Sequence, residues 1–277
     1  MSLSPCRHLH TPTNLLILSL AVSDFLFGFE TLVEAQRQTG CWFLGDVMCS
    51  LHVYLSSICL YTSVGNMMLI SVDRYMAICD PLHYSTRVTV KRVKMCICIW
   101  WNCSFVYNDI IMRDSLFQPG RYRFCYGECV VLIDYTDATV DTILSFIAPI
   151  TVIIILYLRV FVTAVSQARA MRSHVAAVTL QHSGTVMTKK SELKAARTLG
   201  VVVVVYIISF CPSYSFFLIK ASSVNNLPPT SGVFMLCISP CLNPVIYTLF
   251  YPWFRKAIRL IFSLQILQPG SRETNML

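Results

Sequence analysis

Two acidic residues lie inside long apolar segments, where an ionised side chain is costly. They are Asp24 and Asp141. Ionisable residues in such segments mark functional positions by default, because they must face a partner or a water-filled cavity. Asp141 lies between Asp137 and Ser145 at four-residue spacing, so all three share one helical face. A carboxylate placed there can bind a ligand ammonium group; the alternative is a helix-end acid turned toward headgroups or water.

The sequence lacks the residue patterns of an enzyme or a transition-metal centre. No nucleophile and base are paired, no His/Cys cluster has zinc spacing, and no glycine-rich phosphate loop is present. Most of the 13 cysteines lie in apolar segments. Four others are expected on the oxidising side and allow three full pairings, among which the sequence alone does not choose. These four are Cys41, Cys49, Cys125 and Cys129.

The composition predicts an all-α membrane protein. Of the 277 residues 55% are hydrophobic and 13% charged, with a mean hydropathy of +0.61, which argues against a soluble domain. Segments of roughly 20 apolar residues span a bilayer core as helices. We expect a transmembrane bundle over residues 1–268 and a short tail over 269–277. The expected spans are 13–37, 46–79, 90–112, 133–167, 189–220 and 229–250, followed by an amphipathic helix at 252–263.

The basic residues predict how these spans are oriented. With the N-terminus in the cytoplasm, most of the 22 Lys and Arg residues fall in inner loops and helix ends, as the positive-inside rule requires. The acidic residues concentrate in the outer half, which should attract cations. The net charge of +8 therefore indicates topology and contact with anionic lipid, and we expect no nucleic-acid partner.

Several motifs occur in a specific order along the chain. Asp73-Arg74-Tyr75 ends the second span, and Asn243-Pro244-Val245-Ile246-Tyr247 closes the last; Leu20 to Asp24, Trp101, Pro149 and Pro212 lie in other spans. In this order the sequence resembles the rhodopsin-like G-protein-coupled receptors, from about His10 to Leu260. The run from Ser239 to Phe254 looks like the fingerprint of trace amine-associated receptors, with Ser239 and Pro240 in place of Asn-Ser.

This resemblance implies a rhodopsin-like helical bundle in the plasma membrane, with six of the seven family helices present and the first one missing. It also implies a small-molecule amine ligand, a heterotrimeric G protein as partner, and no cofactor apart from an allosteric sodium ion. Two alternatives remain open: an incomplete or non-functional receptor fragment, and a class A receptor for a non-amine ligand. A transporter would show an internal repeat, and none is apparent.

The resemblance also assigns a ligand site. Aminergic receptors carry an acid at the position of Ser56, whereas one largely olfactory branch of the trace amine-associated receptors has it at the position of Asp141. The outer acids Glu34, Asp109 and Asp137 could hold a second ammonium. The expected ligand-binding residues are Asp141, Ser56, Ser57, Tyr61, Ser145, Phe210, Tyr214, Phe217 and Phe234.

Three further groups of residues follow from the same resemblance. A disulfide between Cys49 and Cys129 is expected at the outer side. A sodium site would involve Asp24, Ser239 and Asn243. Activation and G-protein coupling would involve Asp73, Arg74, Tyr75, Glu192, Asn243, Pro244 and Tyr247.

Overall fold

A computed structural model describes residues 11–39, 42–113, 117, 129 and 135–175, with single positions at 201, 204, 205, 207, 208, 211, 242, 243, 259 and 263. Within these residues the regular structure is entirely helical and no strand occurs, in agreement with the predicted all-α class. The segments expected to form helices at 189–220, 229–250 and 252–263 lie almost entirely outside the described residues.

Four helices occupy the first part of the chain: α1 (Pro12–Thr39), α2 (Gly45–Cys79), α3 (Pro81–Arg87) and α4 (Val90–Ile111). Local sequence explains their starts. Proline fits the first position of α1 because its missing N–H would have no helical partner there. Gly45 begins α2 at φ +80°, a conformation that glycine adopts without steric cost. The Thr89 side chain caps α4 by accepting from the Arg92 N–H at 3.4 Å.

The segment expected as one helix at 133–167 contains a change of helix type. It comprises α5 (Tyr135–Thr142), a π-helical turn (Ile143–Ile147) and α6 (Ala148–Val175). Pro149 follows the wide turn and has no N–H to donate to a preceding carbonyl, which makes a regular α-helix unfavourable at this point. One extra residue in the turn rotates the side chains before it relative to those after it.

Helix α2 is the centre of the bundle and packs against α1, α4 and α6. Its Val64, Met67 and Ile70 form a buried core with Leu20 of α1 and Ile153 of α6. Apolar side chains also cover the outside, where lipid would surround a membrane-embedded bundle. Within the part of the chain that the structure describes, three segments are long and apolar enough to cross a membrane: Pro12–Arg37, Gly45–Cys79 and Thr136–Thr163.

Helices α2 and α4 approach closely at Gly65. A Cβ atom there would lie 1.4 Å from Nε1 of Trp100. The same indole N–H donates to the Tyr61 carbonyl at 3.2 Å, so the ring is held against the α2 backbone. Glycine at position 65 therefore allows the approach that brings α4 beside Tyr61.

Candidate functional site

Three helices converge on the side chain of Asp141. The Tyr61 hydroxyl of α2 donates to Oδ1 of Asp141 at 2.5 Å, and the Tyr107 hydroxyl of α4 donates to the same oxygen at 3.1 Å. The two tyrosine rings lie 4.6 Å apart between centroids, tilted by 45°. The half-buried carboxylate is thus held at the meeting point of α2, α4 and α5.

This arrangement suits a cationic ligand group. Two hydroxyl donors fix the orientation of the carboxylate, and aromatic faces attract cations through their quadrupoles. The sequence predicts a ligand-binding role for Asp141 and Tyr61 but not for Tyr107. A single tyrosine in an apolar span is indistinguishable from a packing residue until the register between α4 and α5 is known.

Two of the predicted serines donate to backbone carbonyls four residues earlier in the chain. The Ser145 hydroxyl is buried and donates to the Asp141 carbonyl at 2.6 Å, and the Ser57 hydroxyl donates to the Val53 carbonyl at 2.9 Å. Ser56 lies half-buried on α2. The other expected ligand-binding residues lie outside the described part of the chain: Phe210, Tyr214, Phe217 and Phe234.

A second carboxylate, Asp24, is buried in the middle of the bundle. It accepts from the Asn243 amide through Oδ2 at 2.9 Å and from the Ser63 hydroxyl through Oδ1 at 3.2 Å. Oδ1 of Asn243 is buried and has no partner among the described residues. A carboxylate beside an unpaired amide oxygen offers the hard oxygen donors that a small cation binds, so these two residues fit a sodium ion. Ser239 lies outside the described residues.

The Asp24 region continues into a chain of buried polar side chains. Ser19 of α1 donates to Oδ1 of Asn66 on α2 at 2.9 Å, and the Trp101 indole of α4 donates to Ser19 at 3.2 Å. The Asn66 amide in turn reaches Ser23 at 3.5 Å. Hydrogen bonds thus connect Trp101 of α4 to the centre of the bundle near Asp24.

The C-terminal end of α2 carries the Asp73–Arg74 pair. Both side chains are buried and form an ion pair. Asp73 also accepts from the Thr13 hydroxyl of α1 and the Tyr84 hydroxyl of α3, each at 2.8 Å, and Arg74 donates to Thr13 at 2.5 Å. Burial, and then the Asp73 charge, raise the pKa of Tyr84 above its ordinary value. Thr13 and Tyr84 were not predicted, since neither residue type marks a site in sequence.

The remaining activation residues are only partly described. Tyr75 packs beside the buried Ile78 and Val160, which connects α2 to α6. Three expected residues lie outside the described part of the chain: Glu192, Pro244 and Tyr247.

The predicted disulfide is confirmed. Cys49, in the first turn of α2, is bonded to Cys129 with 5.5 Å between the Cα atoms. Trp42 and Val33 pack against it. The bond therefore fixes Cys129 at the end of α2 that lies opposite the Asp73–Arg74 pair.

Comparison with known proteins defines the class. Residues 2–247 match the family described as 7 transmembrane receptor (rhodopsin family). The chain belongs to this family: it is a multi-pass membrane receptor and not an enzyme.

Similar proteins include trace amine-associated receptors. Trace amine-associated receptor 8c of Mus musculus is 36% identical over 98% of this chain and 82% of its own length. Trace amine-associated receptor 8 of Homo sapiens is 35% identical over 96% and 80%. Trace amine-associated receptor 6 of Mus musculus is 33% identical over 98% and 81%.

Proposed function

We propose that this receptor detects amines, that the ligand ammonium pairs with Asp141, and that binding is coupled to a heterotrimeric G protein. The single observation that carries the proposal is the half-buried Asp141 carboxylate, held between Tyr61 and Tyr107 where three helices meet. Ser56 is neutral at the position where aminergic receptors carry their acid, so the amine must find its counter-ion elsewhere. The proposal includes an olfactory role, as the resemblance of the sequence implies.

The two ends of α2 support an orientation in the plasma membrane. Disulfides form on the oxidising side of a membrane, which supports an extracellular position for the Cys49 end of α2. The Asp73–Arg74 pair at the other end then faces the cytoplasm, where a G protein would bind. Helix α1 precedes α2 across the bundle, so the N-terminus of the chain is cytoplasmic. An epitope placed before Thr11 should be reached by antibody only after the cells are permeabilised.

The centre of the bundle supports an allosteric sodium site. Asp24 and Asn243 would supply a carboxylate and an amide oxygen, with Ser239 as a further expected residue. Bound sodium would hold the helices that carry Asp24 and Asn243 together. No other cofactor is part of the proposal.

The amine proposal is tested by matched pairs of ligands on cells that express the full chain. Each pair consists of a small monoamine and the alcohol of the same carbon skeleton, and surface expression is measured in parallel. A charge-assisted contact with a buried group is worth about 2–5 kcal/mol, so amines should be at least several tens-fold more potent. A response to the alcohols at equal potency would favour a non-amine ligand. Silence toward every amine at normal surface expression would contradict the proposal.

A further inference from the structure

A separate group of charged residues lies where α1 ends and α2 begins. Nδ1 of His52 is 2.6 Å from Oε2 of Glu30, and Nε2 of His52 is 3.1 Å from Oε2 of Glu34. The His52 side chain is 5% exposed, and those of Glu30 and Glu34 are 16% and 14% exposed. We call Glu30, Glu34 and His52 the outer acid–histidine cluster.

The geometry of this cluster fixes how many protons it holds. A neutral imidazole has one N–H donor and one nitrogen lone pair, and a carboxylate only accepts. Here both ring nitrogens of His52 face carboxylate oxygens. Both contacts are hydrogen bonds only if the ring carries two protons or if one glutamate is protonated. In either case the cluster holds one proton more than a neutral histidine beside two carboxylates.

The cluster is joined to Cys129 through Arg37. The Arg37 guanidinium donates to both carboxylate oxygens of Glu34, at 2.7 and 2.6 Å, and to the Cys129 carbonyl at 2.7 Å. The disulfide returns from Cys129 to Cys49, one turn before His52. The ring of Trp42, which packs on this disulfide, is 6.0 Å from the His52 ring. The proton is therefore held where α1, α2 and Cys129 meet.

Loss of the proton would change the total charge of the cluster and Arg37. The groups that face His52 are Glu30 and Glu34 of α1, with Arg37 behind Glu34; the Cys59 thiol, further along α2, also interacts with Glu30. With the proton, the side chains of the cluster and Arg37 are neutral in total. Without it they carry one net negative charge, and a nitrogen lone pair faces a carboxylate at hydrogen-bond distance, which is repulsive.

We propose that the outer acid–histidine cluster is a binding site for an extracellular proton, and that proton release weakens the contact between α1 and α2 at this end of the bundle. The outward direction rests on the orientation proposed above; the proton count rests on the geometry alone. A proton from external water binds the cluster and completes the second hydrogen bond of His52. Acidity in the range where imidazole titrates, roughly pH 5 to 8, then stabilises the outer end of the receptor.

Thermal unfolding of the purified full chain across this pH range tests the proposal without any ligand. The melting temperature should fall by about 2–4 °C as the pH rises from 5 to 8, the shift expected for loss of one such contact. His52→Gln removes the titrating group and should flatten this dependence. His83→Gln is the matched control, because His83 also contacts a carboxylate, that of Asp80 at 2.8 Å, but is 61% exposed at the other end of the bundle. The His83→Gln variant should keep the pH dependence of the melting temperature seen in the unmodified chain.

Glu30→Gln provides an independent variant if His52→Gln fails to fold. The glutamine amide can donate to a bare ring nitrogen, so a neutral His52 keeps both contacts and the extra proton is no longer required. This variant should be about as stable at pH 8 as at pH 5. A flat profile in the unmodified chain, or an unchanged slope in whichever of the two variants folds, overturns the proposal. Because no amine is involved, that outcome is separate from failure of the Asp141 assignment.

Discussion

Asp141 depends on other side chains for its position. Its Oδ1 atom accepts from tyrosines on two different helices, so the carboxylate is oriented by groups that need not touch the ligand. Such groups act by positioning: they reduce the freedom of the acid before the ligand arrives and so lower the entropy cost of binding.

Removing the Tyr61 hydroxyl tests this positioning role. Tyr61→Phe keeps the ring and deletes the 2.5 Å hydrogen bond, and bonds to charged groups contribute about 1.5–3 kcal/mol. Amine potency should therefore fall roughly ten- to hundredfold. Tyr107→Phe, which removes the longer bond, should have a smaller effect. Dose–response curves corrected for surface expression provide the measurement.

Tyr54→Phe is the control for these two variants. Tyr54 also donates to an acid at 2.5 Å, but that acid, Asp109, is exposed at the end of α4. Monoamine potency should be unchanged in this variant. Equal potency in all three variants would show that the carboxylate needs no support from the tyrosines.

The sequence identifies some residues of these sites but not others. Asp141 and Asp24 are evident from the sequence, because a charged side chain in an apolar segment must face a partner or a water-filled cavity. Tyr107 is not, because its contact with Asp141 depends on how α4 and α5 are rotated and shifted against each other. The same holds for His52, because the two glutamates that contact it belong to another helix.

Among the helices, α2 and α4 meet at a contact that one residue controls. A methyl group on Gly65 would overlap the Trp100 indole, which is also held by its hydrogen bond to the Tyr61 carbonyl. The position of α4, and with it that of Tyr107, thus depends on the absence of a side chain at residue 65.

Gly65→Ala should destabilise the bundle. Overpacking of this kind costs about 1–3 kcal/mol, and the displaced α4 should also weaken the response to amines. Gly28→Ala is the matched control, because no atom lies within 4 Å of its added Cβ and alanine favours the helix by up to about 1 kcal/mol. Thermal unfolding of both variants provides the comparison. A Gly65→Ala variant as stable as Gly28→Ala would contradict the close approach.

Helix α3 should respond to acid. The hydrogen bond from His83 lowers the pKa of Asp80 below its ordinary value of 3.8. Because the folded pKa is the lower one, the stabilisation is present above pH 3.8 and is lost as the pH falls through the folded value. Amide exchange over residues 84–88 should accelerate in that range relative to the intrinsic rate. Asp80→Asn should remove the pH dependence, and a persistent dependence in that variant would refute the assignment.

The sequence predicts elements better than their internal details. Apolar length indicates where α1, α2 and α4 lie, because a span must be long and uncharged. It does not reveal α3, whose seven residues are too few for a periodic pattern. The π-helical turn at Ile143–Ile147 is also not evident, since Pro149 only shows that the helix must deviate somewhere nearby.

Across the whole molecule, the polar groups described above occur one after another along α2. The disulfide and the outer acid–histidine cluster lie at its first turns, followed by Tyr61 beside Asp141, then Ser63 beside Asp24, and finally the Asp73–Arg74 pair. One helix thus contacts the proposed ligand site, the proposed ion site and the proposed G-protein end. Motion of α2 relative to its neighbours would couple all three.

The central claim is that Asp141 is the counter-ion of the ligand, and substitution of this residue tests it most directly. In cells that express the full chain, Asp141→Asn keeps the shape and removes the charge, while Asp141→Glu keeps the charge. Asp137→Asn makes the same change four residues away at an exposed position, and Ser56→Ala alters the neutral position. Monoamine potency should fall by several tens-fold or more in Asp141→Asn, less in Asp141→Glu, and little in the other two. Unchanged monoamine potency in Asp141→Asn at normal surface expression would contradict the account.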